Sequence, residues 1–591
     1  GQARTARIET PMATVLLTNT TSGKAWVHRW GSSSRPVAAG SLREVRLDEG
    51  GLPYVIPGPG GVPSHLPRRE PRLLFAGRDQ GQGECLELWI DVPAGLDVLT
   101  FHASGLAREA GMVGWDGQTA EPFQWRCPGC DWMTAEWPVE GRPGLLHIRL
   151  TVPSGAFRFT CADGLPLLLR RPEESLAYVF VEAGLSDPET LRSLDGRVSV
   201  WRGGDLLAMR DVLAGETARI ALPPGAWTVR AEHGFEFFPE TNEIRLSPGA
   251  VRRLDFPLRR RLRPEEGWVW GDQHMHCYHN DGAHAPRDLM RAARAQGLHY
   301  AFLSDSPEAF ADGGSSSDLT GRFVAMPGQE VDTPFCHCCG LNVQGDLPHL
   351  PYGVRADRYP GPPQWLEVIE RQRQANRPCL LQLNHPSHRG DVMARWNLGY
   401  FRSWWVADEH PNEVAVVENF DFPSWFDRLT RGRRLAGMWN TDTHDAVRYP
   451  PGSCRVGLFT HGRLTPPAIL DAMRRGRAFC TRAPGALLYL EVDGHLPGDT
   501  LRGGSGFTGS IRARANVPIE RIEIVQEGRV VHVIPGENRA EIDATFPVER
   551  KAGQWVLALL HADAPYPDND HCGTPFDLSG VLAFTNPVFL Q

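Results

Sequence analysis

Lysine is almost missing from this 591-residue chain: Lys24 and Lys551 are the two, and arginine carries the remaining basic charge. Acidic residues outnumber basic ones, 70 to 62, for a formal net charge of −8. That balance leaves no basic footprint for nucleic acid. No apolar run reaches about 18 residues, so no transmembrane helix is expected. No Gly-x-Ser-x-Gly segment occurs, which disfavours a serine nucleophile. The first residue is Gly1 rather than methionine, so a processed or trimmed N-terminus is expected. Secreted, periplasmic and cytoplasmic locations all stay open. Cys127 and Cys130 form a CPGC pair that fits a disulfide or two free thiols.

At roughly 100–200 residues per domain, the length implies about three to five domains. Residues 1–260 alternate apolar and polar at period two, as in "LELWIDVPAG" and "LLHIRLTVPSG", and end in Pro-Gly turns. Short strands with frequent turns indicate β-sandwiches. A split near 172 gives an N-terminal β-sandwich over 1–172 and a small seven-stranded one over 173–262. From 263 to 484 strand and helix alternate. "APRDLMRAARAQG" reads as a helix, with Pro286 in its first turn and Gly297 as its stop. "PPQWLEVIERQRQANRP" reads as another, and "GWVWGDQH", "HYAFLSD", "CLLQLNHP", "EVAVVENFD" and "RLAGMWNTDTHD" read as strands running into polar loops. Repeated βα units predict parallel strands closed into a barrel. Period-two alternation returns over 485–591, where a C-terminal β-sandwich is expected.

Residues 271–444 hold eleven of the twenty-one histidines. They sit with carboxylates at predicted strand ends: His274 and His276, Glu330, His385, Glu418, then Asp442 and His444. In a parallel barrel such positions share the C-terminal face. Nitrogen and oxygen donors converging there suit a divalent transition metal.

The ordered motifs "GDQHMH", "NDG", "PGQEV", "LNHP", "VEN" and "TDTH" resemble the polymerase and histidinol phosphatase superfamily of metal-dependent hydrolases, in a branch similar to carbaryl hydrolase. The resemblance covers residues 268–484, and "AFTNPVFL" extends it into the C-terminal part. It implies a distorted barrel of seven or eight βα units. It implies that His274 and His276 bind a first metal, that Glu330 bridges to a second, and that His337 and His385 complete the second. Asp442 would complete the first and touch its water. His444 and Asp281 would belong to a third position. Glu418 matches no ligand of the pattern and is expected to orient a histidine. Where the family has a histidine after the second strand, this chain has Ser306, so one or two ions are expected, zinc first, manganese or iron otherwise. Asp281 and His444 are then released for acid–base or substrate work, while His279 and His284 are not essential.

Such ligands imply a metal-activated water attacking an ester, amide or carbamate, with His444 moving a proton. Cys336, Cys338 and Cys339 are expected to be unpaired packing residues rather than nucleophiles. Trp396, Tyr400, Trp404 and Trp405 form an aromatic wall or core packing on a helix. Arg389 meets a substrate anion or solvent. A phosphoesterase is the alternative activity, and a non-catalytic carbohydrate- or surface-binding protein with a decayed barrel is the second. The expected partner is a small-molecule substrate. Oligomeric state is not legible.

Overall fold

The structure is a computed structural model. It describes strands between residues 4 and 161, and residues 179–591 apart from 203–204, 223–224, 248–250, 278–281, 283, 285, 315–322, 333–336, 346, 348–363, 376, 387–403, 405–407, 409–413, 445, 447–448, 505, 551–553 and 565–579. Cys127, Cys130, His279, Asp281, Cys336, Arg389, Trp396, Tyr400 and Trp405 lie outside the described residues.

Near the N-terminus, Arg4–Glu9, Thr14–Asn19 and Val55–Pro57 form a three-stranded sheet. Two four-stranded sheets are built from strands between Arg78 and Cys161. The next two four-stranded sheets lie between Val179 and Pro257. They hold eight strands where seven were expected, the extra one being the two-residue strand Arg192–Ser193. Alternation along Gly196–Arg202 and Gly225–Glu232 turns Val198, Val200, Trp227 and Val229 inward. They meet Leu185, Ile220, Leu222 and Phe256 from the facing sheet in one buried core, which is the sheet-on-sheet packing of a sandwich.

The central sheet begins with β1 (Trp268–Asp272), β2 (Tyr300–Leu303), β3 (Val324–Asp332), β4 (His337–Leu341), β5 (Leu380–Asn384), β6 (Val414–Glu418), β7 (Ala436–Met438), β8 (Cys454–Phe459) and β9 (Ala478–Arg482). Their spatial order is β7-β6-β5-β4-β3-β2-β1-β8-β9. The expected all-parallel barrel is not what the chain forms. The pairs β1/β2, β2/β3, β5/β6 and β6/β7 are parallel. The pairs β3/β4, β4/β5, β1/β8 and β8/β9 are antiparallel. The reason is connection length: β3 ends at Asp332 and β4 starts at His337, too close for a crossover helix. Sheet dominates, and helices among the described residues are few. One isolated parallel bridge, Met275 to Thr443, brings the chain after β1 beside the chain after β7.

Helix α1 (Pro286–Ala295) buries Leu289, Met290, Ala292 and Ala293, and Gly297 at φ 77° ends its turn. Helices α2 (Gln364–Gln374), α3 (Phe422–Thr430) and α4 (Pro466–Arg475) follow. Asp421 caps α3 by accepting from the Ser424 amide, and Trp425 is fully buried beneath it. The sheet then continues through β9, which pairs with Val581–Thr585 of the C-terminal strands. Those strands and a separate three-stranded sheet, containing Ala486–Val492 and Gly506–Ala515, enclose a core that includes Leu488, Ile511, Ile524 and Val556.

Candidate metal centre

The candidate ligands come from the ends of consecutive strands. His274 and His276 follow β1, Glu330 lies late in β3, His337 opens β4, His385 follows β5, Glu418 ends β6 and Asp442 follows β7. Antiparallel pairing does not disperse them. Because β4 runs back beside β3, its first residue lies next to the last residues of β3, and Asp332 pairs with His337. Three of the strand ends turn sharply: His385, Asn419 and Asp442 have φ of 26°, 44° and 50°. Side chains in this left-handed region cost about 1–3 kcal/mol each, and such strain persists where a site holds the backbone.

Two nests of donor atoms share two carboxylates. In the first, His274 Nε2 and His276 Nε2 are 3.0 Å apart. Glu330 Oε2 lies 3.3 and 3.1 Å from them, and Asp442 Oδ1 lies 3.2 Å from each. In the second, Glu330 Oε1 is 3.4 Å from His337 Nδ1 and 3.4 Å from His385 Nε2. Asp442 Oδ2 is 3.9 Å from His385 Nε2. The six residues expected as ligands are therefore brought together, in the groups His274–His276–Glu330–Asp442 and Glu330–His337–His385. The donor set fits a cation. Two imidazole lone pairs facing each other repel unless a proton or cation intervenes. Ligands bound at about 2.1 Å in tetrahedral geometry stand roughly 3.4 Å apart, close to the spacing of the first nest.

The outer nitrogens are held by carboxylates. His274 Nδ1 lies 2.6 Å from Glu418 Oε1, while Asn440 donates to Glu418 Oε2 at 2.5 Å. His276 Nδ1 lies 2.7 Å from Asp305 Oδ1. The other Asp305 oxygen accepts from the Cys277 amide at 2.9 Å and from its thiol at 2.6 Å. Carboxylates can only accept here, so each Nδ1 carries the proton and each Nε2 lone pair turns inward. Asp272 binds the loops together. It accepts from the amides of His274, Thr441 and Gly452 and from the Thr441 hydroxyl. Asn384 donates to Glu330 Oε1 at 2.7 Å.

Charge follows from this packing. Burial opposes protonation of His274 and His276, but the surrounding carboxylates outweigh it and hold both well above the ordinary imidazole value. Burial likewise opposes ionisation of Glu330 and Asp442, and the imidazoles outweigh it, holding both well below the carboxylate range. Without a metal, protons occupy the nest in its place. Burial raises Asp272 to about 6. It also pushes the Cys339 thiol up to about 12, which suits packing rather than attack. Cys338 and Cys339 are buried.

The remaining expected residues have the following places. His444 stacks on His276 with ring centroids 4.6 Å apart, and its Nδ1 lies 2.8 Å from the Asp442 carbonyl. Glu418 contacts His274, and His274, His385 and Glu418 also form a ligand-type group. Ser306 caps the turn Pro307–Ala309, accepting from the Ala309 amide at 3.0 Å. Trp404 packs against the central core, with the Arg428 guanidinium 4.1 Å from its ring. His284 is buried. Asp281 and Arg389 are outside the described residues. Sequence reasoning missed Asp305, Asp272 and Asn384. Asp305 carried a usable signal, a carboxylate at the end of "HYAFLSD", one residue before Ser306.

No protein-family model matches the sequence. No curated protein matches it either. Among solved structures it is similar to a two-domain protein from Bacteroides vulgatus containing a predicted PHP-like metal-dependent phosphoesterase. That likeness has 14% identity, covers 55% of this chain and 98% of the other, and has a TM-score of 0.32. A second is to an amidohydrolase from Chromobacterium violaceum, with 12% identity, 30% and 87% covered, and a TM-score of 0.20. A third is to a β-glucuronidase from Bacteroides uniformis, with 8% identity, 87% and 74% covered, and a TM-score of 0.18. At such TM-scores the likenesses assign neither a fold nor an activity to this chain.

Proposed function

We propose that the chain is a metal-dependent hydrolase holding two divalent ions and acting on an ester, amide or carbamate. One observation carries the reading: Glu330 and Asp442 each turn one oxygen to the His274–His276 nest and the other to His385. Carboxylates that face two nests at once are suited to bridging two cations. Ions held there would acidify a water to a pKa of about 7 and polarise the oxygen that gains charge.

The protein's own groups do the rest. Asp305 and Glu418 hold the imidazoles of His276 and His274 with Nε2 inward. Asn384 keeps Glu330 turned toward the second nest. The Asp442 carbonyl can only accept, so the Nδ1 of His444 donates to it. That tautomer leaves Nε2 of His444 as the nitrogen able to take a proton and pass it to a leaving group. In this reading the chemistry belongs to a distorted barrel over 263–484, and the β parts at 1–172, 173–262 and 485–591 flank it.

Elemental analysis of the purified protein tests the metal. A panel of nitrophenyl and naphthyl esters, carbamates and phosphates tests the reaction. Turnover of esters or carbamates that chelation abolishes and added metal restores is expected. Turnover confined to phosphates would replace the assignment with a phosphoesterase. A protein that binds no divalent metal would end it.

A further inference from the structure

Along Gly196–Arg202, the alternation that turns Val198 and Val200 into the core of the small β-sandwich turns Arg197 and Ser199 away from it. Outward residues of a lone sheet meet water, yet Arg197 is 3% exposed. The central domain covers this face. Helix α1 packs on these strands, and its Arg291 and Arg294 pair with Glu216 and Asp195 of the sandwich.

The buried Arg197 carries its own counter-charge. Directly across the ladder, Asp211 accepts from its Nε at 2.7 Å and from its Nη2 at 2.9 Å. Such a two-pronged pair is neutral as a whole, which makes its burial tolerable. The Nη1 of Arg197 leaves the sandwich and donates to the Ala446 carbonyl at 2.7 Å, 249 residues further along the chain. Ala446 is buried and lies two residues beyond His444, in the loop from β7 to β8 that also carries Asp442. The central domain holds that loop on either side. The His276 amide donates to the Thr443 carbonyl at 2.9 Å, and the Gly452 amide to Asp272 at 2.8 Å. Between these two pins, the Ala446 carbonyl is held from the other domain.

We infer that Arg197 is a positioning residue for the reaction proposed above, on which this inference rests. The small β-sandwich completes the active centre by fixing the backbone that places the His444 ring. A shift of about 1 Å in such a group can cost about a hundredfold in rate. The pin at Thr443 keeps Asp442 in place meanwhile, so the donor atoms of both nests stay where they are.

The test compares Arg197→Met, Arg197→Lys and Arg294→Met with the parent. Methionine drops all three bonds of Arg197. Lysine keeps the charge but cannot span both Asp211 oxygens and the carbonyl. Arg294→Met loosens the same domain interface without touching the loop. On the substrate the parent turns over, Arg197→Met should lower kcat about tenfold or more, with KM within about twofold and the metal content unchanged. Arg197→Lys should fall between, and Arg294→Met should match the parent. Hydrogen exchange gives a readout apart from turnover: the Gly452 amide should exchange about tenfold faster in Arg197→Met, and the Thr441 amide at the parent rate. A kcat at the parent level in both Arg197 variants would overturn the inference, as would unaltered exchange at Gly452. An equal fall in Arg294→Met would reduce the effect to a general loosening between domains and overturn it too. So would loss of metal in Arg197→Met, which would move the effect to Asp442. If Arg197→Met does not fold, Arg197→Lys decides. A parent inert toward every substrate would refute the reaction rather than the contact, which the exchange reads separately.

Discussion

Replacing Asp305 by asparagine tests how much of the metal centre depends on a residue that binds no metal. Asp305 faces His276 Nδ1 at 2.7 Å, and both side chains are almost fully buried. The asparagine carbonyl can still accept from that nitrogen, so this contact keeps its shape and loses its charge, while the asparagine NH2 replaces the oxygen that accepts from the Cys277 amide. A buried hydrogen bond to a charged group contributes about 1.5–3 kcal/mol against about 1 for a neutral one. The difference, about 1–2 kcal/mol, is roughly a five- to thirtyfold loss in metal affinity. Outer partners of metal-bound histidines fall in the same range, about 10–100-fold. Asp305→Ala should cost more. Both substitutions strip the acceptor from the buried Cys277 amide, at about 1–3 kcal/mol of fold stability, and alanine removes the acceptor of His276 as well. Competition with a chromophoric chelator reads the affinity, and thermal melting of the metal-free protein separates the stability loss. An affinity unchanged in Asp305→Asn would show that the carboxylate does not hold His276 and that the inward Nε2 has another cause.

His274→Ala/His276→Ala should lose most of the bound metal in elemental analysis while circular dichroism keeps its β signal; full retention of metal would remove these residues from the site. The parent should bind no more than two equivalents, because Ser306 caps a turn where a further imidazole donor was expected; a third equivalent would mean that another residue supplies that donor. Metal binding should strengthen with pH through neutrality and release protons, read by calorimetry in buffers of different ionisation enthalpy, because His274 and His276 are held protonated in the metal-free protein. For the metal-free fold, the histidine contribution is complete below their ordinary value of 6.5 and is lost as pH rises through the raised value. That of Glu330 and Asp442 is present above their ordinary 4.5 and 3.8 and is lost as pH falls. Melting of the metal-free protein should therefore drop on both flanks; a metal-free melting point that is flat toward alkali would contradict the raised imidazoles.

The strands of the central region were legible because each is a short apolar run ending in a polar loop. The ends of those runs located His274, His276, Glu330, His385 and Asp442. Strand direction was not legible. Periodicity describes which face a residue takes, not which way the next strand runs, and the reversal at β4 depends on a connection too short for a helix. His337 illustrates the gap, since a residue at the start of a strand reaches the nest because that strand is antiparallel to β3. Asp305 and Asp272 were passed over for another reason. They act through a histidine ring and through backbone amides, and of the two only Asp305, at the end of "HYAFLSD", stood where its position could have marked it.

The pairing of Trp268 with Phe459, and of Phe479 with Thr585, bears on how the molecule is made. Ribosomal synthesis delivers β1 long before the strand that completes its ladder, so its edge stays open while the intervening chain emerges. Pairings this distant in sequence close slowly and leave strand edges exposed to wrong partners in the meantime. His274 and Asp442 cannot meet until that interval has passed. The centre is therefore assembled only after Asp442 has emerged, and a metal ion taken up before then would find half a binding site on an unfinished chain.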